Sequence, residues 1–305
     1  MSRPLFYCDH HELPLPPGHR FPAEKYRLLR ERLAADETFE FVPASPVAIA
    51  LIELAHEPAY VRAVIDGTLD AATQRRIGFP WSPQLVQRTL CSVGGTLAAM
   101  DVALATGWGG NLAGGTHHAC RDSGSGFCVF NDLAIAIHAG RNRGQFRRAA
   151  VLDLDVHQGD GTALLMAGDP DALTVSIHCA ANFPFRKQQS AIDIALPDGT
   201  ADAAYLERLE ATLPAVAAFG PEIVFYQSGV DGLAGDRFGR LALTHSGLVE
   251  RDRMVLGLVR KYSVPVVITL GGGYSDPVER TVTAHFQTFR TALDLLQPIV
   301  GNIRL

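Results

Sequence analysis

Asp153, Asp155, His157 and Asp160 crowd into one short run, Val151–Leu152–Asp153–Leu154–Asp155–Val156–His157–Gln158–Gly159–Asp160–Gly161. They follow directly on Ala149–Ala150–Val151–Leu152, an apolar stretch that reads as a buried parallel strand. In extended chain alternate side chains share a face, so Asp153, Asp155 and His157 are expected to project from one side. Unpaired buried charge is expensive, and a bound cation is the simplest compensation for two carboxylates and an imidazole at the end of a core strand. The run reads as half of a metal site.

A catalytic metal site in a hydrolase keeps three protein ligands and an open position. Asp155 and His157 supply two. Asp231, in Ser228–Gly229–Val230–Asp231–Gly232, ends another apolar run and is the natural third, with Gly229 and Gly232 leaving room around it. The same aspartate also suits a turn or a helix N-cap. An Asp–His–Asp set is rich in oxygen and suits Zn²⁺, Fe²⁺, Co²⁺ or Mn²⁺.

His117–His118 sits on a glycine-rich loop, Gly114–Gly115–Thr116–His117–His118. Adjacent rings in extended chain point apart, which favours an acid/base pair over two ligands of one metal. Asp153 and Asp160 remain to orient one histidine each; taken alone, the pair would read as two surface histidines. Tyr274 follows Gly271–Gly272–Gly273, where glycines permit close backbone approach and can set a phenol over an oxyanion. A tyrosine packed on a turn is the plainer alternative. No Lys or Ser/Thr follows in Walker order, which argues against nucleotide binding. Gly124–Ser125–Gly126–Phe127–Cys128 and Asn182–Phe183–Pro184–Phe185 offer aromatic walls, although Phe127 and Phe183 in isolation are more often core residues.

Elements that alternate in type must position these groups. Leu5–Cys8 reads as an edge strand, and helical periodicity appears over Ala23–Ala35, Pro46–Asp66 and Pro83–Thr106. Strands are then expected at Gly110–Ala113, Ala149–Leu154, Leu173–Ile177, Ile223–Gln227 and Val266–Leu270. Helices are expected near Asn131–Gly140, Thr162–Met166, Ala203–Ala218, Ser246–Lys261 and Pro277–Leu296. This order predicts an α/β fold, a parallel sheet with helices on both faces. Four strands, near 110–113, 149–154, 223–227 and 266–270, would deliver the polar residues to one rim, where open α/β sheets bind ligands.

The chain has 305 residues, 47% hydrophobic and 19% charged, and no linker or internal repeat divides it, so one domain over 1–305 is expected. A net charge of −5 argues against a nucleic-acid surface and is compatible with a cationic substrate. Cys8, Cys91, Cys120, Cys128 and Cys179 are scattered without a Cys-x-x-Cys pair, as free thiols in a reducing compartment would be. Met1–Ser2–Arg3–Pro4–Leu5 lacks a signal-peptide core, and charges or glycines interrupt every apolar run before a membrane span is reached. A cytoplasmic protein without a membrane partner is expected.

Four segments together carry a family likeness: Gly114–His118, Gly126–Phe127–Cys128–Val129–Phe130–Asn131–Asp132, Asp153–Gly161 and Gly271–Tyr274. In order and spacing the chain resembles the histone deacetylase superfamily of arginase-like metalloamidohydrolases. Gly229–Gly239, Gly18–His19–Arg20–Phe21–Pro22 and Lys25–Tyr26 look most like its class IV branch and bacterial relatives. The resemblance implies a three-layer arginase/deacetylase-like fold with Asp155, His157 and Asp231 holding Zn²⁺, or alternatively Fe²⁺ or Co²⁺. It further implies His118 with Asp160 as general base and acid, His117 with Asp153 as supporting histidine, Tyr274 on the acyl carbonyl, and Gly126, Phe127 and Phe183 along the acyl-lysine tunnel. A structural K⁺ held by Asp153, Asp155, Ser176 and main-chain oxygens of His157 and Ile177 is implied as well. Thr116 stands where class I members often have Trp, so a roomier pocket base is expected, and no match to a substrate-gripping rim aspartate is found. The implied reaction is hydrolysis of acyl-lysine in a protein or peptide. Acetylpolyamine hydrolysis and long-chain fatty-acyl removal are the alternatives within hydrolases, and a catalytically silent metal-binding scaffold is the alternative outside them.

Overall fold

Eight strands form a single sheet in the order β2-β1-β3-β8-β7-β4-β5-β6, and every neighbouring pair runs parallel. The structure, a computed structural model, describes residues 3–35 and 37–296; the ends of the domain expected over 1–305 lie outside the described residues. The strands are β1 Arg3–Tyr7, β2 Phe39–Pro43, β3 Trp108–Asn111, β4 Ala149–Asp153, β5 Ala172–Cys179, β6 Ile192–Leu196, β7 Ile223–Gln227 and β8 Val266–Thr269. The helices are α1 Glu24–Leu33, α2 Ile49–Ile52, α3 Pro58–Asp66, α4 Ala71–Ile77, α5 Pro83–Thr106, α6 Asp132–Asn142, α7 Asp160–Leu165, α8 Asp202–Phe219, α9 His245–Tyr262 and α10 Glu279–Leu295.

The central strands are apolar on both faces, and alternate residues feed two cores. Ala150, Leu152, Val224, Tyr226, Val266 and Ile268 pack with residues of α1, α8, α9 and α10. Ala149, Val151, Ile223, Phe225 and Val267 pack on the other side with residues of α3, α5 and α6. That division produces the three-layer α/β arrangement expected from the alternating pattern. α5 is long and apolar enough to cross a membrane by length and composition, and here Val93, Leu97, Ala99, Met100 and Ala103 enter the second core.

Several boundaries differ from expectation, each for a local reason. β1 is not at the edge, because β2 pairs along its outer side from Arg3–Phe39 to Tyr7–Pro43. β6, also unforeseen, closes the opposite edge with Ile192, Ile194 and Leu196 alternating against polar or small residues. The single helix expected over Pro46–Asp66 breaks in two: Glu57, preceding Pro58, is extended, as steric clash with the proline ring requires. α4, also unforeseen, is capped by Asp70, whose side chain accepts from the N–H groups of Ala72 and Thr73. The strand expected at Gly110–Ala113 begins earlier, at Trp108.

Because all strands point the same way, their carboxyl ends share one rim. β3, β8, β7, β4 and β5 are successive neighbours there, so the segments that follow them are neighbours too.

Candidate active site

β4 stops at Asp153, and the next residues leave the strand, so the expected alternation along one extended chain does not extend to Asp155 and His157. Asp155 and His157 nonetheless reach one buried chamber, and Asp153 stands behind it on His117. The Leu154 N–H donates to the Gln227 carbonyl, the Val156 N–H to Asp231 Oδ1 (2.9 Å), and the Asp155 N–H to Asp153 Oδ1 (3.2 Å). The segment is thus held by the end of β7 and by its own first aspartate.

Asp155, His157 and Asp231 offer ligand atoms that all lie within 4.8 Å of one another. His157 Nδ1 is 3.0 Å from both Asp155 Oδ1 and Asp231 Oδ2. The opposite carboxylate oxygens are taken by backbone: Gly272 N–H donates to Asp155 Oδ2 (2.7 Å) and Val156 N–H to Asp231 Oδ1. The other oxygen of each carboxylate faces the imidazole, that of Asp155 also accepting the His157 N–H (3.0 Å). Burial, and then the neighbouring Asp155 carboxylate, push the Asp231 carboxyl up from its ordinary value, and a cation between them would relieve both costs. The donor set fits a divalent ion with imidazole and carboxylate ligands.

Asp231 lies in a turn, but its side chain neither closes the turn nor caps a helix: it reaches Val156 and His157, far away in sequence. The room around it has another source than expected. A Cβ at Gly229 would meet Asp155 Oδ2 at 2.1 Å and one at Gly232 would face Leu243, whereas a Cβ at Gly272 would meet Asp231 Oδ2 at 1.8 Å. The second glycine of the triple-glycine turn makes the space.

His117 and His118 lie on a turn instead of extended chain, and their rings converge with centroids 4.0 Å apart. His117 Nδ1 meets Asp153 Oδ2 at 2.7 Å, His118 Nδ1 meets Asp160 Oδ1 at 2.6 Å, and the two Nε2 atoms are 3.1 Å apart. Burial works against charge on His117, but the Asp153 and Asp155 carboxylates outweigh it and lift the ring to about 9. Burial, followed by the charge on His117, pulls His118 down to about 4 against the opposing Asp160. One protonation pattern satisfies every contact: a charged His117 donates to Asp153 and to His118, and a neutral His118 donates from Nδ1 to Asp160 and accepts from His117 at Nε2.

Asp132 at the start of α6 holds this turn, accepting from the N–H of Gly115 (3.0 Å) and of Thr116 (2.7 Å). Thr116 turns away from the pocket base: its hydroxyl donates to Asp132 (2.6 Å), and it does not line the chamber.

Tyr274 is set by Asp236, whose Oδ2 accepts the Tyr274 N–H (2.7 Å), and by Lys25, whose Nζ donates to the carbonyls of Gly271 and Gly273 (3.2 Å each). Burial, with the Asp231 and Asp155 charges adding, raises the phenol well above its usual value, so it stays a proton donor. Lys25 is itself buried, and burial pulls it to about 8 against Asp231, Asp155 and Asp236.

A tunnel of about 450 Å³ leads in from the surface, lined by Gly18, His19, Arg20, Gly126, Phe127, Phe183 and Phe238, with His118, His157 and Tyr274 also on its wall. A smaller chamber of about 50 Å³ is lined by Gly114, Gly115, both histidines, Asp155, His157 and Tyr274. Phe127 has φ +65°, a conformation that side chains rarely adopt, and its N–H donates to the Ile77 carbonyl. A Cβ at Gly126 would meet His118 Cδ2 at 2.6 Å, so only glycine passes there. For the expected K⁺ ligands, Asp153 and Ser176 are register partners on β4 and β5. Ser176 Oγ lies 3.0 Å from His178 Nδ1.

The structure thus brings together all the residues expected at the metal, the histidine pair and the tunnel. Unforeseen were Lys25, Asp132, Asp236, Phe238 and Arg251. Arg251, buried in α9, donates to the carbonyls of Leu154, Ser228 and Gly229, close to both aspartate ligands, and pairs with Asp252 (2.8 Å).

The histone deacetylase domain family matches residues 19–289. The chain belongs to the histone deacetylase family. An uncharacterized protein of Picosynechococcus sp. is 45% identical over 97% of this chain and 100% of its own length. Histone deacetylase 2 of Arabidopsis thaliana is 32% identical over 68% of this chain, and the chain spans about half of that protein's length, 53%. Among solved structures, an acetylpolyamine aminohydrolase from Burkholderia pseudomallei shares the fold at a TM-score of 0.77 and 21% identity, covering 96% of this chain and 99% of its own.

Proposed function

We propose that the chain is a zinc-dependent amidohydrolase, with Fe²⁺ or Co²⁺ as alternative ions, that removes acyl groups from lysine side chains. The observation that carries this reading is the convergence on one chamber of the Asp155–His157–Asp231 set, the carboxylate-backed histidine pair and Tyr274. A divalent ion held by the three ligands would supply Lewis-acid polarisation of the acyl carbonyl and of water.

The remaining work falls to the chain's own groups. His118 accepts a proton from the attacking water at Nε2, once the water replaces the His117 N–H at that lone pair, and returns it to the departing amine; its Nδ1–H stays on Asp160 and fixes the ring. His117, kept charged by Asp153, offsets the negative charge that builds up on the reacting oxygen. The Tyr274 hydroxyl donates to the oxyanion, and Phe127, Phe183 and Phe238 exclude water along the alkyl stem. A structural K⁺ at Asp153, Asp155, Ser176, His157 and Ile177 belongs to the same reading, supported by the Asp153–Ser176 pairing. So do the class IV assignment, supported by the Gly18–Pro22 and Lys25–Tyr26 segments, and a cytoplasmic setting, supported by five free cysteines.

The chamber is small beside the tunnel that leads to it, about 50 Å³ against about 450 Å³, which favours acetyl over octanoyl or myristoyl groups. Metal-reconstituted protein assayed on acetyl-, octanoyl- and myristoyl-lysine peptides should turn over the acetyl peptide best. Tyr274→Phe should keep its fold and metal content and lose roughly 10²–10³ in kcat. Absence of metal-dependent turnover on every acyl peptide, or near-wild-type activity of Tyr274→Phe, overturns the reading.

A further inference from the structure

The tunnel mouth carries an unassigned cation, Arg20, on a protein whose net charge is −5. Arg20 lines the mouth, is exposed, and sets its guanidinium over the Phe238 ring, 5.9 Å from the centroid. Its position is built. His19 Nε2 donates to the carbonyl of Gly78, which closes α4, and His19 Nδ1 accepts the Phe21 N–H (3.2 Å). Phe238 in turn packs edge-on against Tyr274, with centroids 4.8 Å apart.

Arg237 precedes Phe238, and Arg186 follows the Phe183–Phe185 wall. Both are exposed, and neither side chain has a hydrogen-bond or ion-pair partner among the described residues. No residue lining the tunnel mouth is acidic. The nearest carboxylate in sequence, Asp236, is buried and committed to the N–H groups of Phe238, Gly239 and Tyr274. Lys187, by contrast, is folded back onto the carbonyls of Asn182 and Pro184.

We propose that Arg20 selects acyl-amine substrates that carry a carboxylate next to the acylated lysine. The same cation repels acylated polyamines. This rests on the deacylase reading and narrows its substrate class. Exposed ion pairs are each weak, so the expected effect is a graded preference, sensitive to salt because the groups face water.

The test compares kcat/KM of the metal-loaded full chain on capped peptides with acetyl-lysine between two aspartates, two glycines or two arginines. Free Nε-acetyl-lysine, its amide and N-acetylputrescine complete the series, the first two separating an α-carboxylate from a flanking acidic side chain. The acidic peptide should exceed the basic one by roughly 3- to 10-fold at low salt, the gap shrinking at high salt. Arg20→Gln should narrow the gap, with the loss falling on KM for the acidic peptide. Equal or better turnover of the arginine peptide or of N-acetylputrescine, or an Arg20→Gln protein with the full preference, overturns the proposal. Should no substrate turn over, the deacylase reading fails by itself. Calorimetric binding of the same peptides then decides the selection: preference for the acidic peptide, lost in Arg20→Gln, supports it, and indifference overturns it.

Discussion

The chamber and the mouth of the same tunnel are built on opposite principles. In the chamber the catalytic loops are stapled to one another through carboxylates: Asp155 takes the Gly272 N–H, Asp231 the Val156 N–H, Asp132 the Gly115 and Thr116 N–H groups, and Asp236 the Tyr274 N–H. Each bond joins segments distant in sequence, so no ligand-bearing loop can move alone. At the mouth Arg20 is exposed to water, and beyond the Phe183 wall Phe185 is 88% exposed. Reaction geometry is over-determined by buried polar bonds, while the surface that meets the substrate is held at a few points and is free to vary.

The contrast is broken most severely at a ligand. Asp231→Asn keeps the shape but removes a charge from the ion's cradle, and outer-shell changes alone typically cost 10–100-fold in metal affinity. Loss of a direct ligand should exceed that, leaving protein that folds, retains substoichiometric metal by elemental analysis and shows no measurable turnover. Full metal occupancy would remove Asp231 from the ligand set. Next in size is Arg251→Met, which strips the donor from the Leu154, Ser228 and Gly229 carbonyls and leaves Asp252 buried with Tyr226 and Thr288. Removing one partner of a buried ion pair costs about 3–5 kcal/mol, which a shift of the urea midpoint will register. A shift below about 1 kcal/mol would mean that the chamber is not braced from beneath by α9.

The same contrast explains what could be read from the chain. Asp153, Asp155 and His157 were legible because an apolar strand led straight into them, and His117–His118 because two adjacent imidazoles on glycines have few structural uses. Asp231 stood between ligand and cap, since only the contact with Val156 and His157, some 75 residues away, decides between them. Lys25 and the Arg251–Asp252 pair look like solvated helix faces by composition. Lys25 is buried because its ammonium ends on two glycine carbonyls of a turn near the other end of the chain. The alternation of Ile192, Ile194 and Leu196 was a readable signal for β6, and Phe39–Glu40–Phe41 a weaker one for β2. What stayed hidden was the set of long-range polar bonds, which have no periodicity.

The smallest effect sharpens the other side of the comparison. Phe185 meets the tunnel wall at Phe183, an edge-on contact with centroids 6.3 Å apart. Its ring is otherwise in water, so Phe185→Ser removes little buried area and should shift unfolding by no more than about 0.5 kcal/mol. Phe183 keeps its packing on His118, with centroids 4.9 Å apart, so the catalytic ring does not depend on Phe185. Any change should appear as a modest rise in KM for peptides, with kcat and metal content held. A loss of stability near that of Arg251→Met, or a fall in kcat, would show that the mouth is coupled to the chamber through the Phe183 ring. The two regions would then be one mechanical unit, and variation at the mouth would carry a catalytic cost.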